Sequence, residues 1–321
     1  MRILLTGSSG WLGRFLAPRL RRDGHEVIGF DVAPGADTRI SGSIADRALV
    51  ERAFADHGIE AVIHAAALHK PDIERYPAER FEAVNVEGTS NLLRAAAEAG
   101  NDRFVFTSTT SLMISEAVRA GKGGGATRAA WIDEEFGPLE PRNIYGVTKL
   151  AAESKCRLVH DETGLAVVIL RTGRFFPEED DTHREHSGEN RKANEFLNRR
   201  LTVEDCAEAH IAALARAPAI GLGRYVVSAP PPFVPDECEE VLHDAPAVIA
   251  RHFPDAETLY GARGWSLPGS IERVYDPSRA ERELGFRCRT DFAAILDALR
   301  GGGRLPFAHD PSYVSPKETA G

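Results

Sequence analysis

The stretch Arg2-Ile-Leu-Leu-Thr6, followed by Gly7-Ser8-Ser9-Gly10-Trp11-Leu12-Gly13, decides how this chain is read. Its first five residues are a short apolar run suited to a buried parallel strand. Beyond the glycines, Leu12, Phe15, Leu16 and Leu20 repeat at helical spacing. Strand, glycine-rich turn and helix in that order form the context that holds a dinucleotide. Gly7 permits the tight turn, Gly10 lets the backbone approach a pyrophosphate, and Gly13 lets helix and strand pack closely. Ser9, Trp11 and Leu12 belong to the same cradle, and the helix N-terminus faces the anion. The next strand, Glu26-Val-Ile-Gly-Phe30, ends in Asp31. A carboxylate there accepts hydrogen bonds from a ribose diol and repels a 2′-phosphate, so the expected cofactor is NAD rather than NADP. Arg39, further along the loop, is the one residue that cautions against this.

A second stretch far downstream, Tyr145-Gly-Val-Thr-Lys149, can do proton chemistry. A phenol with a pKa of about 10 is a poor base at neutral pH. A lysine one helical turn on shares its helix face, and its ammonium is expected to stabilise the phenolate. The helix begins after Asn143, which puts Tyr145 in the first turn, where the helix dipole also favours negative charge. Tyr-x-x-x-Lys alone is short enough to arise on any helix surface. Together with the glycine-rich opening it becomes specific.

Between the two, strands and helices alternate. A helix is expected over 47–57 and a strand over 61–64, running into Ala65-Ala66-Ala67, small residues that leave room for a cofactor. His64 reads as a packed strand end, and His69 and Lys70 as a loop bordering the cleft that could touch substrate, with a solvated loop the simpler reading. A long helical pattern over 81–99 contains Asn85, a poor interior helix residue whose side chain should bond something specific. Gly100 suits its end. Arg103-Phe-Val-Phe106 is a buried strand ending in the hydroxyl cluster Thr107-Ser108-Thr109-Thr110-Ser111, one of which could bond Tyr145 and a substrate oxygen. Residues 115–141 read as a mobile loop over the cleft, and Gly121–Gly125 lacks the spacing of a phosphate-binding P-loop. Residues 166–170 and 224–227 are further strands. A helix over 202–217 is opened by Thr202, and short helices follow at 236–241, 245–252, 276–285 and 292–299. Residues 173–200 are polar, and His183 and His186 within them read as a solvated loop rather than a metal pair. The chain beyond Gly301 reads as loose.

Composition sets bounds. At 321 residues with 43% hydrophobic content, the chain can bury a large core. A net charge of −9 argues against nucleic acid or an anionic membrane as partner. The opening residues lack the apolar core and cleavage site of a signal peptide, and no apolar run approaches the ~18 residues of a membrane span. Cys156, Cys206, Cys238 and Cys288 are widely spaced, as expected of reduced thiols in the cytoplasm. No residue set calls for a metal.

The alternation specifies an α/β fold, a Rossmann-type doubly wound parallel sheet. The expected domains are a cofactor-binding domain over 1–172, with 200–228 returning to it, and a smaller substrate-binding lobe from 173–199 and 229–321.

With these residues in view, the chain resembles the extended short-chain dehydrogenase/reductase family, of the nucleotide-sugar epimerase and dehydratase type. The resemblance rests on Thr6-Gly-x-x-Gly-x-x-Gly13, Asp31, His64-Ala-Ala-Ala67, Asn85-Val-Glu-Gly-Thr89, the hydroxyl cluster and Tyr145-x-x-x-Lys149. Val203-Glu-Asp205, Asp276-Pro-Ser-Arg-Ala and Leu284-Gly-Phe286 look like later landmarks. It covers 1–172 firmly and 200–290 more loosely. It implies that Tyr145 is the acid/base, that Lys149 lowers its pKa and bonds the nicotinamide ribose, and that Thr109 polarises the substrate oxygen. The cofactor residues it implies are Gly7, Ser9, Gly10, Trp11, Leu12, Gly13, Asp31, Ala65, Ala66, Ala67, Asn85, Tyr145 and Lys149. Thr110, Ser111, Arg174 and Phe175 would face a substrate, with Phe176 beside them.

The departures are informative. Thr110 and Ser111 stand where the family's sugar 4,6-dehydratases carry Asp-Glu, so dehydration is doubtful. Gly42-Ser43 replaces a common Gly-Asp that holds the adenine. Arg174 stands where a substrate-side Asn is usual, and with Phe175 and Phe176 it could clamp a phosphate or stack on a base. The resemblance implies an NAD-dependent epimerase acting on a sugar hydroxyl, of a nucleotide sugar, through a keto intermediate. The alternatives are a net dehydrogenase or ketone reductase and, on the same fold, a non-catalytic NAD-sensing protein. A homodimer through the helices near Asn85 and Tyr145 is implied as well.

Overall fold

Alternating strands that each bury both faces build the centre of this molecule. The structure, a computed structural model, describes residues 1–121, 125–178 and 188–317. The His183–His186 pair and the centre of the Gly121–Gly125 run therefore lie outside the described residues.

Seven parallel strands form one sheet: β1 (Arg2–Thr6), β2 (Glu26–Asp31), β3 (Ile40–Ser41), β4 (Ala61–His64), β5 (Phe104–Thr109), β7 (Val167–Thr172) and β8 (Leu222–Val227). Their spatial order is β3-β2-β1-β4-β5-β7-β8. Successive residues of a strand point to opposite faces. Ile3 and Leu5 enter one core with Leu12, with Leu16 and Leu20 of α1 (Gly13–Arg22), and with Ala209 and Ala213 of α8 (Val203–Ile220). Leu4 enters the other, with Val50 and Phe54 of α2 (Arg47–His57), Leu92 and Leu93 of α4 (Gly88–Glu98), and Ala152 and Cys156 of α6 (Ile144–Thr163). Each such side chain contributes about 1.5–3 kcal/mol on burial. The doubly wound sheet expected from the sequence is present. Between β1 and β4 the strand order reverses, and a crevice opens beyond their carboxyl ends.

A second core gathers Phe196, Leu197, Val241, Leu242, Val248, Ile249, Tyr260, Phe292, Ile295 and Leu296. Its helices are α7 (Gly188–Glu195), α9 (Cys238–His243), α10 (Ala245–His252), α11 (Ala256–Gly261) and α13 (Phe292–Arg300), while α12 (Ser278–Leu284) packs on the sheet side. No helix among the described residues is long and apolar enough to cross a membrane.

Several local expectations are corrected. The long helix starts earlier, as α3 (Ala78–Phe81), and passes through a π-helical stretch (Glu82–Glu87) before α4. Strand β5 runs to Thr109, so part of the hydroxyl cluster is strand rather than loop. Residues 115–141 are not simply a loop. They hold α5 (Glu116–Ala120) and β6 (Ala130–Ile132), which pairs in parallel with β9 (Arg273–Tyr275). Ala129 and Trp131 join the second core with them. Helix α7 is polar in sequence but buried, through Asn190, Arg191, Lys192, Asn194 and Glu195. Residues 305–317 are not loose: Leu305 and Phe307 enter the second core, and Tyr313 packs on Trp11.

Candidate active site

The glycine-rich turn takes the shape its residues require. Gly7 has φ +74°, and a Cβ there would lie 2.9 Å from the backbone of Ala65 and Ala66. A Cβ on Gly13 would meet the Gly7 carbonyl at 2.2 Å, the close helix–strand approach that only glycine allows. Helix α1 has no side-chain cap and no acidic residue in its first turn; Arg14, Phe15 and Leu16 N–H bond back to Gly10 O and Leu12 O, so the groups that can meet an anion are those of the turn before Arg14. Above it lies a cleft with about 1000 Å³ of free space, part of it open to solvent. Gly7, Gly10, Trp11, Leu12, Asp31 and Ala65–Ala67 line it, as expected, together with Val32, Gly42, Ser43 and Thr107.

At the end of β2, Asp31 accepts from Ser9 N–H and Ala33 N–H, both at 2.9 Å. Two lone-pair positions remain for a diol. Burial pushes its pKa up, opposed by these backbone donors. Ser9 turns its hydroxyl to Ala33 O and Thr38, so it shapes the loop. Arg39 pairs with Glu26 at 3.2 Å on the surface, both side chains more than half exposed. It offers nothing to a 2′-phosphate at Asp31. An uncapped helix start, a glycine cradle and an acidic strand end together fit a dinucleotide without the extra phosphate.

The proton-transfer residues meet beside His69, which lines the cleft. Asn143 caps α6, its Oδ1 accepting from Gly146 N–H at 3.0 Å. Tyr145 is 8% exposed, and the nearby Thr109 hydroxyl favours its phenolate. Thr109 also accepts from Ser111 N–H at 3.1 Å. Thr110 instead donates to Thr172 O at 3.2 Å and is spent inside the fold. Lys149 is 2% exposed, donates to Thr107 O at 2.6 Å, and lies 4.0 Å from the centre of the Phe106 ring. Burial dominates both titrations. It pushes Tyr145 up to about 12, with the Thr109 bond opposing, and Lys149 down to about 7. The expected lowering of the phenol by the lysine is therefore not what this structure shows: desolvation outweighs it.

Asn85, in the π-helical stretch, accepts from Leu68 N–H at 2.9 Å and donates to Leu68 O and Thr148 Oγ1, both at 3.1 Å. It ties the loop after β4 to α6. His64 is a packed strand end, bonded to Thr6 and Thr89.

His69 borders the cleft, as its loop was expected to, but it is packed rather than solvated. Its ring centre is 5.8 Å from that of Tyr145 and 5.3 Å from that of Phe176, and it lines the cleft. Burial lowers its pKa to about 4, so it stays neutral. Phe175 and Phe176 stack 4.5 Å apart and line the same wall. Arg174 lies 3.8 Å from Glu195. Glu195 is also paired with Arg199 and Arg200. Burial raises Glu195, but the three arginines outweigh it and hold the carboxyl at about 2.

Comparisons with known proteins agree with this geometry. The family described as NAD dependent epimerase/dehydratase family matches residues 3–207. A 3-beta-hydroxysteroid dehydrogenase of Mycolicibacterium neoaurum is 31% identical over 194 residues, 56% of this chain and 49% of that protein. A UDP-glucose 4-epimerase of Azospirillum brasilense is 30% identical over 179 residues, 53% of this chain and 48% of that protein. The chain thus spans about half of these relatives, and 12% of a mycobacterial one that is 40% identical over 113 residues. In fold, it resembles a short-chain dehydrogenase/reductase superfamily protein from Agrobacterium tumefaciens with bound NAD. That TM-score is 0.65 at 23% identity, over 94% of this chain and 98% of that one.

Proposed function

The chain belongs to the NAD-dependent epimerase/dehydratase family, and we propose that it is an epimerase that oxidises and re-reduces a sugar hydroxyl, carried on a nucleotide sugar. The observation that carries the reading is the buried Tyr145, one helical turn from Lys149, with its ring 5.8 Å from that of His69, which lines a cleft fitted to a dinucleotide. NAD, when bound, supplies the hydride acceptor and returns the hydride. Tyr145 takes the substrate's hydroxyl proton at its phenol oxygen and gives it back. Thr109 holds the same oxygen. Lys149, lowered by burial to about 7 and one helical turn from Tyr145, would hold the cofactor's nicotinamide ribose beside the phenol. Phe175, Phe176 and His69 form the wall against which the substrate's ring lies. The second core and its helices form the substrate lobe. The similarity to a UDP-glucose 4-epimerase supports the substrate class.

A second reading, net oxidation of a less polar alcohol, draws on that aromatic wall and on the similarity to a 3-beta-hydroxysteroid dehydrogenase. The two separate in one experiment. Purified protein with NAD is offered a panel of nucleotide sugars and cyclic alcohols, following both reduced nicotinamide and product configuration. Inversion without net reduced cofactor supports the epimerase; accumulating reduced cofactor supports the dehydrogenase. Tyr145→Phe should lower turnover at least about 100-fold while NAD affinity stays within a few-fold. Full activity in that variant would sink the mechanism.

A further inference from the structure

The segment His309–Lys317 leaves the second core and crosses the cofactor cleft. Leu305 and Phe307 are buried in that core, which fixes where the segment starts. Asp310 N–H then donates to Pro177 O at 2.9 Å. Lys192 reaches both Pro177 O and His309, the latter at 2.7 Å. Further on, the Tyr313 ring sits edge-on to Trp11, with centres 5.1 Å apart. Trp11 belongs to the glycine-rich turn itself, so the segment passes directly over the phosphate-facing loop.

Ser315, Pro316 and Lys317 line the cleft. The Lys317 ammonium pairs with Asp72, their side chains 17% and 3% exposed. Asp72 in turn accepts from His69 N–H at 2.7 Å. The charge of Lys317 also reaches Asp31 at one end of the cleft and His69 at the other, lowering the pKa of each. Ser315–Lys317 thus share the lining of the cleft with Gly7, Gly10 and Asp31. A diphosphate entering between Asp31 and Asp72 meets two carboxylates, and Lys317 is placed to offset them.

We propose that Tyr313–Lys317 is part of the cofactor site: a strap over the bound dinucleotide, latched by the Lys317–Asp72 ion pair and supplying an ammonium to a cleft whose ligand carries a diphosphate. The proposal rests on the family's cofactor and extends it to residues outside the dinucleotide-binding half. A strap of this kind slows release more than it changes encounter. The cofactor would then stay bound between turnovers, as suits a reaction that returns its hydride.

The test is the release of labelled NAD into an excess of unlabelled NAD, in four proteins: the full chain, a chain ended after Ala308, Lys317→Ala and Lys317→Arg. The shortened chain keeps Leu305 and Phe307, and the point variants guard against a folding defect. The expected result is release about tenfold faster from the shortened chain and from Lys317→Ala, the size of losing a partly buried charge pair. Lys317→Arg should stay near the full chain. Added salt should speed release from the full chain more than from Lys317→Ala. Equal release rates in all four proteins overturn the strap while leaving the cofactor reading intact. Tighter binding by the shortened chain also overturns it, and makes the segment a competitor for the site. A full chain that binds no NAD at all removes the cofactor reading, and the strap with it.

Discussion

Glu153 shows how single residues here depend on tertiary partners. It faces the sheet from α6 and receives Arg171 through two bonds of 3.0 and 2.7 Å, with a third from Ser108 at 2.7 Å. Arg171 is fully buried. Removing one partner of such a pair leaves an uncompensated charge out of water, which costs about 3–5 kcal/mol. Replacing both by apolar residues of similar size costs far less. Urea unfolding should therefore show Glu153→Gln and Arg171→Met each strongly destabilised, and Glu153→Met with Arg171→Met recovering most of the loss. Additive losses in the double variant would contradict this. The same dependence explains His69 and Thr110. A histidine in a polar loop reads most simply as solvated, and a threonine beside Thr109 is easily confused with it. Only packing against Phe176 and a bond to Thr172 distinguish them.

At the scale of elements, α6 carries two faces with different work. Tyr145, Lys149, Ala152 and Cys156 are buried towards the sheet and the site. Val147 and Leu158, about three turns apart, are 47% and 48% exposed. Large apolar residues left on one helix face support the dimer that the family resemblance implies. Val147→Glu with Leu158→Glu is expected to shift the mass in solution from two chains to one without changing the circular dichroism. A wild-type chain that is already monomeric at micromolar concentration would refute the dimer. Long, capped elements were legible because pattern and terminus signals agree. Helix α2 carries Asp46 as its cap and Gly58 at φ +55°, and α8 carries Thr202, whose hydroxyl accepts from Asp205 N–H at 3.0 Å. Strands β6 and β9 were not legible, because three residues carry no period and their pairing joins positions far apart in sequence. Helix α7 was not legible because its polar residues are buried against one another and against carbonyls such as Ser266 O.

For the molecule as a whole, buried neutral histidines set the response to acid. His64 and His210 are 1% and 0% exposed, and burial lowers both, His210 to about 4. His210 is held neutral between Thr107 and the Cys206 carbonyl. Their folded pKa values lie below the unfolded value of about 6.5, so the unfolded chain binds more protons in between. Stability should fall as pH drops through roughly 6.5 towards 4, by up to about 1.4 kcal/mol per pH unit for each histidine. Glu195 adds a loss lower down, since its folded pKa of about 2 lies below the ordinary carboxyl value. Denaturation midpoints at a series of pH values check this, and His210→Gln should flatten the upper part of the curve. A curve unchanged by that substitution would mean that His210 is not the buried titrating group.

The amino-acid sequence by itself determined the fold class, the cofactor turn and the pairing of Tyr145 with Lys149. Those features are local: a glycine needed for positive φ, an acidic residue ending a strand, a lysine one turn from a tyrosine. Their meaning is carried by neighbours in the chain. The tertiary structure alone decided that Thr110 is spent on Thr172, that His69 is packed against Phe176, how the polar helix α7 becomes buried, and that residues 313–317 return over the cleft. Each of these depends on contacts between distant segments, whose entropic cost is offset only when the whole core forms, so no window of sequence records them.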